Sequence, residues 1–419
     1  MKTLTSKQSN LIPVAIIGAL FFIFGFITWL NGILIPYLKI ACELTNFEST
    51  FVAFAFYISY TLMALPSSWL LKKTGFKQGM SWGLVTMAVG TTVFIPAALS
   101  RDYHIFLAGL FIIGTGLAVL QTASNPYITI LGPKETAARR ISIMGIFNKL
   151  AGAAAPLILA YFILSDGDQL TEALKTLEGD ARIAQLDQLA HRVILPYGVM
   201  TVTLLLLATA IRFSPLPEIE EQQDEEVANG EGQKKSILAF PQLILGAITL
   251  FLYVGAEVIA GDTIIRYGQS LNIPIEIAKS FTSYTLIAMV AGYIIGIILI
   301  PKVISQRVAL LGSAILGLAF ALGAIRTEGM LSVSFIAALG LANALVWPAI
   351  WPLALDGLGR FIKTGSAILI MAIAGGAIIP LIWGKLADVY SARQAYWVLI
   401  PCYLMILYYA QRGNKLRKW

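Results

Sequence analysis

Charge is scarce in this sequence. Of its 419 residues only 13% are Asp, Glu, Lys or Arg, against roughly 25% in a soluble domain, so most of the chain does not meet water. Histidine is nearly absent. The two present, His104 and His191, lie at the edges of apolar runs, which leaves metal-assisted and imidazole chemistry poorly supplied and no metal site expected. The two cysteines, Cys42 and Cys402, are far apart and sit at or inside apolar runs, excluding a disulfide framework. No acid/base cluster gathers at one membrane face, as a membrane-embedded transferase requires, so an enzyme is not expected. The net charge of +7 does not point to nucleic acid, because Lys and Arg fall in short clusters between apolar runs, as in membrane loops. What the chain has in abundance is hydrophobic residues, 58% of the total, for a mean hydropathy of +0.78.

About 20 mostly apolar residues cross a bilayer as a helix. Runs that meet this requirement lie near 11–38, 50–71, 80–99, 104–131, 141–164 and 193–213, and again near 241–267, 279–300, 305–325, 331–355, 362–386 and 393–411. The first is too long for a signal-peptide core and lacks a small-residue cleavage site, so it reads as a retained helix. The spacing predicts an all-α membrane protein of twelve transmembrane helices. Residues 1–213 form one six-helix bundle, 214–240 a cytoplasmic acidic linker carrying Glu218, Glu220 and Glu221, and 241–419 a second bundle. Basic residues set the orientation. With Lys72, Lys73, Lys77, Arg139, Arg140, Lys234, Lys235 and the tail Arg412 to Lys418 inside, both termini are cytoplasmic. The longest outer loop, Ser165 to Arg192, is polar with an amphipathic stretch and predicts one small external helix. Six plus six helices about such a linker is the pattern of the major facilitator superfamily, which holds its substrate between the halves near the bilayer midplane.

Charge near the bilayer centre costs at least about 2.5–3.5 kcal/mol, so Lys149 in the fifth run and Glu257 and Asp262 in the seventh need a reason to be there. Glu257 and Lys149 either neutralise each other as a buried structural pair or line a wet cavity that binds substrate or a coupling ion. Asp262 stands nearer the outer end, solvated or paired with Arg266 four residues on. Gln121 and Asn125 share one helical face, and Asn31 lies midway along the first run beside Gly32. Asn343, Trp347 and Trp351 form an i, i+4, i+8 row. Amides suit vicinal hydroxyls and indoles suit the C–H face of a sugar. Individually, the same residues also serve as interfacial anchors or helix–helix bonds.

At these residues the sequence resembles the fucose–galactose–glucose symporter family, over nearly its whole length. The resemblance is carried by Leu20 to Ile23, Leu30 to Pro36, Leu44 to Phe47, Gln121 to Pro126 with Ile130 to Pro133, Tyr253 to Glu257, Ile265 to Tyr267, and Gly365-Ser366 with Gly375-Gly376. Lys72 to Lys77 looks like a degenerate superfamily loop. Gly384 to Asp388 is similar but lies on the outer side, and no gating role is assigned to it. In the family's fucose branch, carboxylates in the first and fourth helices are tied to coupling and sugar binding; here Gly32 and Gln121 occupy those positions. The family's helix 5 sugar-contact amide falls on Gly145, one turn from Lys149, whereas Glu257 matches the glucose/galactose branch. The resemblance therefore implies that the ionisable machinery has moved, with Glu257 as the proton- or sodium-responsive carboxylate, Asp262 as an auxiliary acid and Lys149 as a sugar or Glu257 partner. A carboxylate held by an ammonium favours sodium or a fixed pair over a proton carrier.

The expected function is import of a monosaccharide, a hexose such as glucose or galactose, by cation symport across a bacterial inner membrane. Asn31, Gln121, Asn125, Asn148, Lys149, Glu257, Asn343, Trp347 and Trp351 are the expected substrate-binding set. No cofactor beyond the coupling proton or sodium is expected, and a monomer in the lipid bilayer is the expected assembly. A facilitator or exporter of another small metabolite on the same fold is the alternative.

Overall fold

The computed structural model describes residues 11–130, 137–216, 236–300, 303–358 and 361–418. The acidic part of the expected linker, residues 217–235, lies outside the described residues. Among these residues every regular element is helical. The first half comprises α1 (Leu11–Trp29), α2 (Asn31–Ala41), α3 (Asn46–Ser49), α4 (Phe51–Ser100), α5 (Tyr103–Ile130), α6 (Ala137–Ile163), α7 (Gly167–Thr176), α8 (Gly179–His191) and α9 (Ile194–Phe213). The second comprises α10 (Pro241–Asp262), α11 (Ile264–Ser270), α12 (Ile275–Ala278), α13 (Phe281–Leu299), α14 (Gln306–Arg326), α15 (Gly329–Asn343), α16 (Val346–Leu355), α17 (Ile362–Met371), α18 (Gly375–Val389), α19 (Ala392–Ala395) and α20 (Leu399–Gln411).

Among the described residues, 11 helical stretches are long and apolar enough to cross a membrane. The twelfth expected crossing, 393–411, is helical as α19, a 3-10 turn at Tyr396–Val398, and α20. The second and third crossings run together in α4 and are separated only at Gly75, whose φ of 76° and ψ of 172° break the helix; this backbone region is open to glycine. The loop after α6 holds two helices rather than one. Gly179, at φ 58°, divides them, and each tucks leucines inward: Leu170 and Leu174 from α7, Leu186 and Leu189 from α8. Asp166, before α7, closes this hairpin against the residue after α8, accepting from Arg192 Nη2 at 2.8 Å. That hydrogen bond holds its carboxyl below the usual range.

Several crossings are discontinuous. The first breaks at Leu30 between α1 and α2, the seventh at Thr263 between α10 and α11, and the tenth between α15 and α16. At the seventh, Thr263 Oγ1 turns back to the Ile259 carbonyl at 2.7 Å and meets the Tyr396 hydroxyl at 2.9 Å. Breaks at membrane depth survive only where protein or a wet cavity satisfies the freed groups, and in carriers they mark the binding site. The bundles meet through α13 against α6 and α18 against α4, with α10 and α11 against α2. Those contacts bring the broken first and seventh helices together at the centre.

Candidate functional site

Lys149 projects from α6 of the first half and Glu257 from α10 of the second. Their side chains meet at 2.6 Å and are each about nine-tenths buried. The Lys149 ammonium also lies 4.3 Å from the centre of the Trp29 ring, at the end of α1, a cation–π contact that helps satisfy a desolvated charge. Trp29 is itself wedged. A Cβ placed on Gly152 would stand 2.4 Å from its ring, and one on Gly261 would stand 2.3 Å away on the other side, so only glycine at both positions admits the indole. Thus one aromatic plate and one ion pair join the two halves at the breaks in the first and seventh crossings.

Tyrosines surround the pair. Tyr253, Tyr293 and Tyr403 are buried and lie within electrostatic reach of Glu257. Tyr293, from α13, faces Gly145 of α6, where a Cβ would sit 3.4 Å from the phenol ring; a tyrosine from the opposite half thus fills the space left by the missing amide. Tyr403 donates to Asn343 Oδ1 at 2.8 Å and links Asn343 to the same cluster. On the other flank, Gln121 donates to the Tyr60 hydroxyl at 3.1 Å. Tyr60 stacks with Tyr57, which faces Glu257 and Asp262. Asn31 opens α2 fully buried, its amide nitrogen without a partner among the described residues.

Other expectations meet a different geometry. Asn343, Trp347 and Trp351 do not form one helical row, because the chain breaks at Ala344–Leu345; the two tryptophans stack on each other at 5.4 Å, while Asn343 turns to Tyr403. Asn148 points its amide at the Phe21 carbonyl at 3.4 Å, across the α1–α6 contact. The side chain of Asn125 lies outside the described residues. Asp262 is neither solvated nor paired with Arg266. It is 1% exposed, and neither carboxylate oxygen has a hydrogen-bond partner among the described residues, because Arg266 is drawn across to the other half. Arg266 Nη1 donates to the Asn46 carbonyl at 3.2 Å and to Ser49 Oγ at 2.6 Å, and its guanidinium lies 4.9 Å over Trp383.

Two carboxylates bolt the same end of the molecule. Asp388, at the end of α18, accepts from the backbone N–H groups of Asn46 and Phe47 at 3.1 and 2.7 Å. Asp168, following α6, accepts from those of Ile275 and Glu276 at 2.8 and 3.2 Å. In each case an aspartate beyond a half's fifth crossing grips the first turn leading into the other half's second crossing. The Gly384–Asp388 segment, to which no gating role was assigned, thus joins the halves. Beside the bolts lies a cleft of about 1100 Å³ lined by residues including Lys39, Glu43, Arg182, Arg266 and Trp383. It lies beyond the Lys149–Glu257 pair, toward the end that carries the α7–α8 hairpin. Trp29 and Tyr293 escaped the sequence reading, and of these only Trp29, two residues before Asn31, carried a local signal.

Two six-helix bundles meeting on a buried ion pair, with broken helices beside it, define a membrane carrier of the alternating-access kind. A model of the Major Facilitator Superfamily matches residues 17–374, and the chain belongs to that superfamily and, within it, to the fucose–galactose–glucose symporter family. It is 36% identical to the glucose/galactose transporter of Brucella abortus, over 99% of this chain and 97% of that protein. It is 28% identical to the L-fucose-proton symporter of Escherichia coli, over 97% and 94% of the two chains. The crystal structure of FucP, a major facilitator transporter in the outward conformation, superposes with a TM-score of 0.75 at 28% identity, covering 97% of this chain and 100% of that one.

Proposed function

We propose that this chain imports a hexose of the glucose or galactose type together with a proton, across a bacterial inner membrane, as a monomer. The observation that carries this reading is the Lys149–Glu257 pair, because it spans the two halves at the place where a carrier must open and close. A sugar arriving between the bundles offers hydroxyls to both members. The pair can then exchange part of its mutual attraction for substrate contacts, which costs less than leaving either charge bare. Gln121, Asn343 and Asn31 supply amides around it, with Asn125, Asn148, Trp347 and Trp351 as the outer members of the set. Residues 1–213 and 241–419 act as the moving bodies, and 214–240 as their tether. The crowding of basic residues at the end carrying the 72–77 turn and the C-terminal tail supports placing that end in the cytoplasm. The α7–α8 hairpin, the two aspartate bolts and the cleft then lie on the outer face.

Purified protein in proteoliposomes tests the reading. Radiolabelled glucose or galactose should accumulate uphill when the outside is made acidic and not when sodium alone is higher outside. Accumulation driven by sodium would replace the proton as coupling ion. Equilibration without accumulation under either gradient would make the protein a facilitator, and no uptake of either hexose would remove the sugar assignment.

A further inference from the structure

Asp262 and Arg266 stand one helical turn apart across the Thr263 break, and each is incompletely satisfied. Among the described residues Asp262 has no donor on either oxygen, although it is 1% exposed; Arg266, 4% exposed, leaves Nε and Nη2 without acceptors among the same residues while Nη1 holds Asn46 and Ser49 of the opposite half. Other charged or titratable groups facing Asp262 are Glu257 from its own helix, Lys149 from α6 and Tyr57 from α4. Lys149 is committed to Glu257. Arg266 is faced in turn by Asp388 and by the hydroxyls of Tyr396 and Tyr103, with Lys39 nearby. Asp388 is committed to the backbone of Asn46 and Phe47. An ionised carboxylate in this setting carries an uncompensated desolvation cost that its neutral acid does not.

We infer that Asp262 carries the transported proton and that Arg266 is its exchange partner, alternating between the first half when the outer face is closed and the Asp262 carboxylate when it is open. The inference rests on the symporter reading. Opening the outer face withdraws Asn46 and Ser49, which belong to the opposite bundle, from Arg266. An Asp–Arg pair at i, i+4 spacing is then within reach, and it stabilises the ionised Asp262 toward the water-filled cleft. A proton arriving from outside converts this carboxylate to the acid and removes the charge that holds Arg266. The guanidinium returns to Asn46 and Ser49, and the outer face closes on the loaded carrier. Loss of the same proton to the cytoplasm restores the negative charge, draws Arg266 back and loosens the outer closure. One proton is bound and one released per cycle, with no other reactant. Glu257, already paired, is left to respond to the sugar.

The test uses the full chain in proteoliposomes, comparing the parent with Asp262→Asn and Asp262→Glu. Asp262→Asn should lose acid-driven uphill accumulation by about tenfold or more, and with it sugar-linked proton entry, while counterflow of labelled sugar at equal pH persists. Spin labels at Ala181→Cys and Met330→Cys, with Cys42 and Cys402 replaced by serine, report the outer separation of the halves. In the parent this separation should shrink on acidification, and in Asp262→Asn it should not respond. Asp262→Glu should restore both coupling and the response, which a merely structural aspartate does not predict. Arg266→Gln should likewise remove the pH response. Uphill accumulation with proton entry in Asp262→Asn, or an unchanged pH response of its label distance, overturns the inference while leaving the symporter intact. Failure of the parent to accumulate any hexose removes the symporter reading itself.

Discussion

Lys149 and Glu257 illustrate how asymmetric the energetics of a buried pair are. Each side chain has given up nearly all its water, and the 2.6 Å contact between them, together with the Trp29 face 4.3 Å from the ammonium, is what compensates. Removing one partner leaves a naked charge, at a cost of about 3–5 kcal/mol, whereas replacing both with neutral groups of similar volume is often close to neutral. Lys149→Met and Glu257→Gln should therefore each lower thermal stability in detergent by several degrees. The double variant should recover most of that loss and still fail to accumulate sugar. If both single variants melt with the parent, the pair is not an energetic link between the halves. The same reasoning identifies Trp29 as more than filler, since glycines from both bundles make room for it.

Among the elements, the two aspartate bolts deserve comparison with the pair below them. Asp388 on the start of α3 and Asp168 on the start of α12 occupy equivalent places in the two halves, so they share the load of holding the halves together at that end. Both sit near solvent, and a hydrogen bond to an exposed charge contributes only about 1 kcal/mol. Asp168→Ala or Asp388→Ala alone should shift the balance toward the form open at this end by about fivefold, and the double variant by the product, since sites in separate contacts combine additively. The Ala181–Met330 label distance reads this shift as a growing long-distance population. A double variant with the parent's distribution would mean that Arg266 and the apolar contacts hold the face without the bolts. The discontinuous helices add to this picture. Breaks at Leu30 and Thr263 place Asn31 and Asp262 at helix ends, where a small rotation redirects a side chain without unwinding a whole helix.

For the whole molecule, the division into two bodies has its own test. If residues 1–213 and 241–419 are the moving units, separate expression of the halves from a cut within 217–235 should still yield a complex that transports sugar, at a reduced level, measured by uptake in cells expressing both pieces. Loss of uptake despite both halves reaching the membrane would show that the tether does more than connect. Most of the architecture was legible in the sequence because each crossing announces itself locally. A bilayer demands about 20 apolar residues per helix, and the runs near 241–267 or 305–325 meet that demand whatever their neighbours do. The ion pair was half legible, since Lys149 and Glu257 are conspicuous in apolar surroundings, though nothing in one dimension says that they meet. The two expectations for Asp262, solvation or a pair with Arg266 that helical spacing favours, both meet a different geometry. A competing acceptor set, Asn46 and Ser49, lies 217 to 220 residues away in the chain.

Sequence alone determined that the chain is a twelve-crossing carrier and which residues are too polar to face lipid. These follow from solvation, a property each segment carries by itself. Only the tertiary structure decided which of those polar residues are satisfied and which are left waiting. Hydrogen bonds and ion pairs between the two bundles depend on how the halves are set against each other, and in a carrier that setting is what changes. Arg266 bonded across the interface and Asp262 left without a donor among the described residues are two consequences of one setting of the halves.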